Sequence, residues 1–112
     1  MEAVNEVRLV GRLSAEAVDR ELPSGDVVVV ARLVVARPED ASPRQRRQSV
    51  DVLECSAWSP RVQRVMRGWC EGDLVDIRGA VRRRFFRVAG QTAARVEIEV
   101  SSGRLVRRAD RE

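Results

Sequence analysis

The chain has 112 residues, 44% of them hydrophobic, with 21 basic residues against 17 acids and a net charge of +4. That is the length of one ordinary domain with enough apolar side chains for one core. No apolar run is long enough to span a membrane, and Met1–Val10 lacks the basic start and long apolar stretch of a signal peptide.

All the basic residues are arginine, and they are unevenly spread. Residues 1–43 hold 5 arginines against 8 acids, whereas residues 44–112 hold 16 against 9. Such asymmetry points to a polyanionic partner. The chain has no histidine and only two cysteines, Cys55 and Cys70. This argues against a zinc site and removes the commonest general base. Both cysteines are expected to be buried free thiols.

The first element is "VNEVRLVGRL" (4–13), which alternates in part, with Val7, Leu9 and Leu13 on one face and Arg8 and Arg12 on the other. It reads as a strand. "LPSGD" (22–26) is a turn signature between strands. "VVVVARLVVA" (27–36) is rich in β-branched residues and forms a second strand, with Val29, Ala31, Leu33 and Val35 on the apolar face and Arg32 opposite. "RPEDASPRQRRQ" (37–48) has two prolines and no period, and reads as a loop whose "RQRR" (44–47) is either solvated or a nucleic-acid contact. "SVDVLECSAW" (49–58) is a third strand, with Val52, Glu54, Ser56 and Trp58 in alternation.

The period then changes. Ser59 caps a short helix and Pro60 suits its first position. Val62, Val65, Met66 and Trp69 share its apolar face. "DLVDIRGAV" (73–81) is a fourth strand with Val75, Ile77 and Val81 on one side; Asp73 and Asp76 are expected in solvent. An Ala-Gly-Gln turn precedes "ARVEIEV" (94–100), a fifth strand with Val96, Ile98 and Val100 inward and Glu97 and Glu99 outward. The end, "RLVRRADRE", is charged and expected to fray.

Three strands, a short helix and two strands describe an all-β, five-stranded OB-fold, a Greek-key barrel with its helix between strands three and four. One domain is expected over residues 1–106, followed by a charged end at 107–112. No Gly-rich phosphate loop, metal-ligand cluster or activated nucleophile is legible, so no enzyme and no cofactor are expected.

"VRRRFF" (81–86) fits this reading. In a strand, Arg82, Arg84 and Phe86 point one way, and Val81, Arg83 and Phe85 the other. The first set offers guanidinium groups for phosphates and a ring for a base, the combination that single-strand binders use. Beyond Val81 the hairpin is expected to leave the barrel. Phe85 is the weaker aromatic candidate, and Arg12, Arg32 and Arg87 are further candidates for phosphates.

The chain resembles the bacterial single-stranded DNA-binding protein family. The resemblance runs from about Asn5 to Val106 and rests on "NEVRLVGRL" (5–13), "LPSG" (22–25), "VLECSAW" (52–58), "EGDLVDIRGAVRRRFF" (71–86) and "RVEIEV" (95–100). It implies a cytoplasmic, nucleoid-associated homo-oligomer, a tetramer in preference to a dimer, that coats single-stranded DNA in replication, repair and recombination. It also implies that Trp58 and Phe86 are stacking positions. Four departures stand out. The region near Glu39 has no tryptophan, Val52 stands where many members have an aromatic, and Glu54 stands where a basic residue is common. The chain also stops at Glu112 without an acidic-tipped tail for recruiting other proteins. These departures keep a second reading open, a tail-less interaction module similar in kind to primosomal replication protein N, with weak nucleic-acid binding.

Overall fold

The computed structural model describes residues 2–38 and 49–110. The chain order is β1 (Val7–Leu13), β2 (Val18–Glu21), β3 (Val27–Ala36), β4 (Val50–Ala57), α1 (Pro60–Arg67), β5 (Leu74–Val88) and β6 (Gln91–Arg107). β1 and β2 are two halves of one barrel strand, because both pair antiparallel with β3, at Leu13↔Leu33 and Val18↔Val30. The order β1-β5-β6-β4-β3 returns to β1, so five strands close into a barrel. The closure is completed by a short parallel contact between β4 and β6 at Cys55↔Ile98. This is the expected OB-fold, with its helix between the third and fourth barrel strands.

The inward row of β3 is the expected one for Val29, Ala31 and Leu33, which join Leu13, Cys55, Val75, Ile77, Ile98 and Val100 in the core. α1 plugs one end of the barrel with Val62, Met66 and Trp69. Ser59 Oγ accepts from the Val62 amide (3.3 Å), satisfying an N-terminal donor of the helix. Arg64 and Arg67 complement the dipole at the other end. Val65, expected on the buried stripe, is 38% exposed. Gln63 is buried in its place. Its amide donates to Val27 O (2.8 Å) and Ala57 O (3.0 Å), tying the helix to the ends of β3 and β4.

The long β5–β6 ribbon turns at Ala89 and Gly90, both with positive φ (51° and 80°), in the two-residue loop expected from the Ala-Gly-Gln signature. At its root the register steps from Arg78↔Ser102 to Gly79↔Val100, leaving Ser101 as a bulge residue on β6. A Cβ on Gly79 would collide with the Glu99 carbonyl, so glycine permits this close approach. The Asn5 side chain brackets the same root, donating to Val81 O (2.8 Å) and accepting from its amide (2.9 Å).

Several expectations need correction. Val96, expected inward, is exposed, as is Val81, expected on one side with Val75 and Ile77, because the ribbon has already left the barrel at that level. Glu97 was expected outward in water but is 4% exposed, covered on the ribbon's concave side. Asp73 and Asp76 are buried instead of solvated. Asp73 accepts from the Cys70 and Ala109 amides and from Arg108, and Asp76 accepts from Arg8 and Arg104. Arg104 to Arg107 continue β6, and Arg108 is pinned by Asp73 (2.8 Å), so this part of the end does not fray. Cys55 is a buried free thiol as expected; Cys70, also free, is only half-buried.

Candidate nucleic-acid interface

β3 is buried on both faces near its start. Val28 and Val30 point away from the core, yet are only 3% and 6% exposed. They form the floor of an open groove of ≈ 480 Å³, together with Ser56 of β4 and Trp58 just beyond it. Arg84, Phe85, Phe86, Arg87, Arg95 and Glu97 of the ribbon form one wall, and Arg20, Leu22, Pro23 and Ser24 the other.

The pairs Arg82↔Glu97, Arg84↔Arg95 and Phe86↔Ala93 place Arg82, Arg84 and Phe86 on one face of β5, as alternation predicts. Trp58 is 38% exposed. Its indole Nε1 donates to Ser56 Oγ (3.2 Å), and the Ser56 hydroxyl donates in turn to the Glu97 carboxylate. The ring is therefore fixed by its edge, and one of its flat faces lies under the Arg84 guanidinium, 4.5 Å from the ring centroid. Phe86, equally exposed, carries Arg95 at 5.2 Å. Phe85 is 67% exposed with Arg83 at 5.4 Å. Both aromatic candidates thus share a groove and have arginine partners.

The groove arginines are internally paired. Arg84 Nη2 donates to Glu99 (2.6 Å), and Arg84 Nε lies 3.5 Å from Glu97. Arg82 Nε donates to the other Glu99 oxygen (3.2 Å). Glu54 faces Arg20 (3.3 Å) and Arg95 (3.7 Å). Glu54 thus holds two of the groove's arginines. Sequence reasoning missed Arg20, Arg95 and Glu97. Arg95 and Glu97 alternate with Ile98 in "ARVEIEV", so the pairing of that strand with "VRRRFF" was the signal that could have found them.

Not every candidate lies in the groove. Arg87 does, donating to Gly90 O (3.0 Å) near the tip. Arg32, opposite Glu54 in register, lines an adjoining hollow of ≈ 300 Å³ that shares Arg20 and Val30 with the groove. Arg12 sits elsewhere and donates to Gly72 O (2.9 Å). The region near Glu39 and "RQRR" (44–47) fall outside the described residues. Beneath the groove, burial and the nearby Glu54 and Glu97 push the Cys55 thiol up to about 12, which keeps it protonated and unreactive at neutral pH.

The model of the single-strand binding protein family matches residues 4–106. The chain belongs to this family. As a family member, it shares its fold with the Plasmodium falciparum SSB solved in complex with ssDNA, at a TM-score of 0.73 and 20% identity over 96% of each chain. No curated protein matches the sequence.

Proposed function

We propose that this chain binds single-stranded DNA with little regard to sequence, by stacking bases on Trp58 and Phe86 and pairing phosphates with the surrounding arginines. The observation that carries the reading is the meeting of both rings with Arg20, Arg84, Arg87 and Arg95 around one groove, with Arg82 outside its lining but sharing Glu99 with Arg84, in a chain of the single-strand binding family. Every base has a π-face, so such platforms accept any sequence, and each stacked base contributes about 1–3 kcal/mol. Phe85 extends the aromatic wall, and Arg32 adds charge from the adjoining hollow. Arg12 would act only where DNA runs beyond the groove.

The structural likeness to a protein solved in complex with ssDNA supports the same ligand. The role is that of a coat on exposed strands in replication, repair or recombination, in the cytoplasm, with no reaction catalysed. Among the described residues no helix is long and apolar enough to cross a membrane. The working form is a homotetramer. In support, β1 pairs with β5 along Val7–Arg12 but with β3 only at Arg12 and Leu13, which leaves an open edge. Val10, Val52 and Val96 also stand exposed.

The test is a titration with oligo-dT at several salt concentrations beside duplex DNA. With five arginines meeting phosphates, the log–log salt slope is expected near −3.5, at about −0.7 per contact. A flat salt response, or equal affinity for duplex, refutes the proposal. For the assembly, light scattering should give about four times 12.6 kDa, and a monomer mass at micromolar concentration refutes the tetramer.

A further inference from the structure

Ser56 and Trp58 stand two positions apart at the end of β4, so alternation puts their side chains on one face. The register with β3 ends at Ala57, one residue before Trp58, so the sheet ladder does not hold the ring. A chain of side-chain contacts does. The indole Nε1 can only donate, and it donates to Ser56 Oγ (3.2 Å). The hydroxyl has one proton of its own, which it gives to Oε2 of Glu97. The other oxygen of that carboxylate lies 3.5 Å from Arg84 Nε, and the Arg84 guanidinium covers a face of the same indole. The ring is therefore held at its edge by Ser56 and on one face by Arg84.

The two holds differ in what DNA does to them. Arg84 is 32% exposed and paired with Glu99, and a phosphate draws it away from the ring. Ser56 and Glu97 are 1% and 4% exposed, so the edge contact persists when Arg84 leaves. A side chain that becomes immobile only on binding gives up rotamer freedom at the expense of affinity, whereas one already held gives up little. The edge contact also sets a chemical requirement. Stacking alone accepts any flat ring, but this anchor needs a ring with an N–H at its edge, which phenylalanine lacks.

We propose that Ser56, its hydroxyl oriented by Glu97, is a positioning residue for single-stranded DNA. It holds the Trp58 indole ready to stack, and it makes tryptophan rather than phenylalanine the residue that position 58 requires. The inference rests on the proposed function of the groove.

The test is a double-mutant cycle on the whole protein, with Ser56→Ala, Trp58→Phe and the double variant titrated with oligo-dT. Trp58→Phe keeps a flat ring and removes the N–H. Ser56→Ala should bind about threefold to tenfold more weakly than the wild type. Added to Trp58→Phe, the same substitution should change affinity by less than about twofold. Any effect of Ser56→Ala on Glu97 or on the fold is common to both backgrounds and cancels. An equal loss in both backgrounds, or no loss in the wild-type background, overturns the inference. A second measurement needs no substitution at Ser56. With the indole signals assigned through Trp69→Phe, NMR should show the Trp58 Nε1 proton exchanging with solvent at least about tenfold more slowly than that of free tryptophan. Exchange at the free rate overturns the anchor even where Ser56→Ala fails to fold. If Trp58→Ala leaves oligo-dT binding unchanged, the groove reading fails and the inference with it. If Trp58→Ala weakens binding and Ser56→Ala does not, the inference alone fails.

Discussion

Replacing Glu99 by glutamine should make the protein bind single-stranded DNA more tightly. Glu99 sits on β6 opposite Ala80, 30% exposed, with one carboxylate oxygen on Arg82 (3.2 Å) and the other on Arg84 (2.6 Å). The same Arg84 covers one face of Trp58. DNA phosphates must compete with this carboxylate for both arginines, and a base that stacks on the covered face of Trp58 must displace Arg84. Half-exposed ion pairs of this kind contribute about 0.2–1 kcal/mol each. Two pairs relinquished on binding therefore cost about 0.4–2 kcal/mol, which Glu99→Gln removes in advance. Affinity for oligo-dT should rise by about twofold to thirtyfold. The salt slope should steepen, because arginines already neutralised by a carboxylate contribute less to counterion release. The assay is a fluorescence or anisotropy titration at three or more salt concentrations, with the unfolding midpoint measured beside it. If Glu99→Gln binds as weakly as the wild type at every salt concentration while remaining folded, Arg82 and Arg84 do not exchange Glu99 for phosphate, and this account of the groove is wrong.

Other expectations follow from the same contacts. Arg82→Ala with Arg84→Ala should weaken DNA binding and flatten the salt slope, by less than the ~1.4 that two unpaired arginines would give. Of the two single variants, Arg84→Ala should lose more stability in urea, because it deprives the buried Glu97 of its cationic neighbour. The Asp76 carboxyl is held below its ordinary 3.8 by its hydrogen bonds from Arg8 and by the charges of Arg8, Arg104 and Arg78, which outweigh its burial. A folded-state value below the unfolded one contributes stability that is complete above about pH 4 and lost as pH falls through the folded value. Asp76→Asn should therefore be less stable at pH 7 and less sensitive to acid, as followed by circular dichroism from pH 7 to pH 2. Gly79→Ala should destabilise the fold by about 1–3 kcal/mol in chemical denaturation, since its Cβ has backbone rather than a movable side chain to displace.

The fold was legible because its signals are local. Alternation in 27–36 and 73–77 set the inward rows, and the Ser59–Pro60 start with Val62, Met66 and Trp69 located the helix. β2 escaped because "VDRE" has one apolar residue and is held as a strand by β3 rather than by its own pattern. The misplaced side chains have a common cause. Alternation puts Val81 on the side of Val75 and Ile77, and Val96 on the side of Ile98 and Val100, but it does not say that Val96 pairs with Arg83, where the ribbon has left the barrel. Likewise Glu97 is buried by Ser56 and Arg84, and Asp76 by Arg8, 68 positions away in the chain. Such burial depends on pairing between distant segments. In the groove, the face of "VRRRFF" and the separation of Trp58 from Trp69 were readable from period alone. The ion pairs that already occupy its arginines were not, because they join β5 to acids on β6, and β2 and β6 to Glu54 on β4.

The most direct test of base stacking reads tryptophan emission during an oligo-dT titration of the wild type, Trp58→Ala and Trp69→Phe. Trp58 lies half-open in the groove, whereas Trp69 is 5% exposed under α1, against Gly103. The wild type should be quenched on binding, Trp69→Phe should be quenched as strongly, and Trp58→Ala should lose the quenching together with about 1–3 kcal/mol of affinity. Undiminished quenching and affinity in Trp58→Ala would contradict the account.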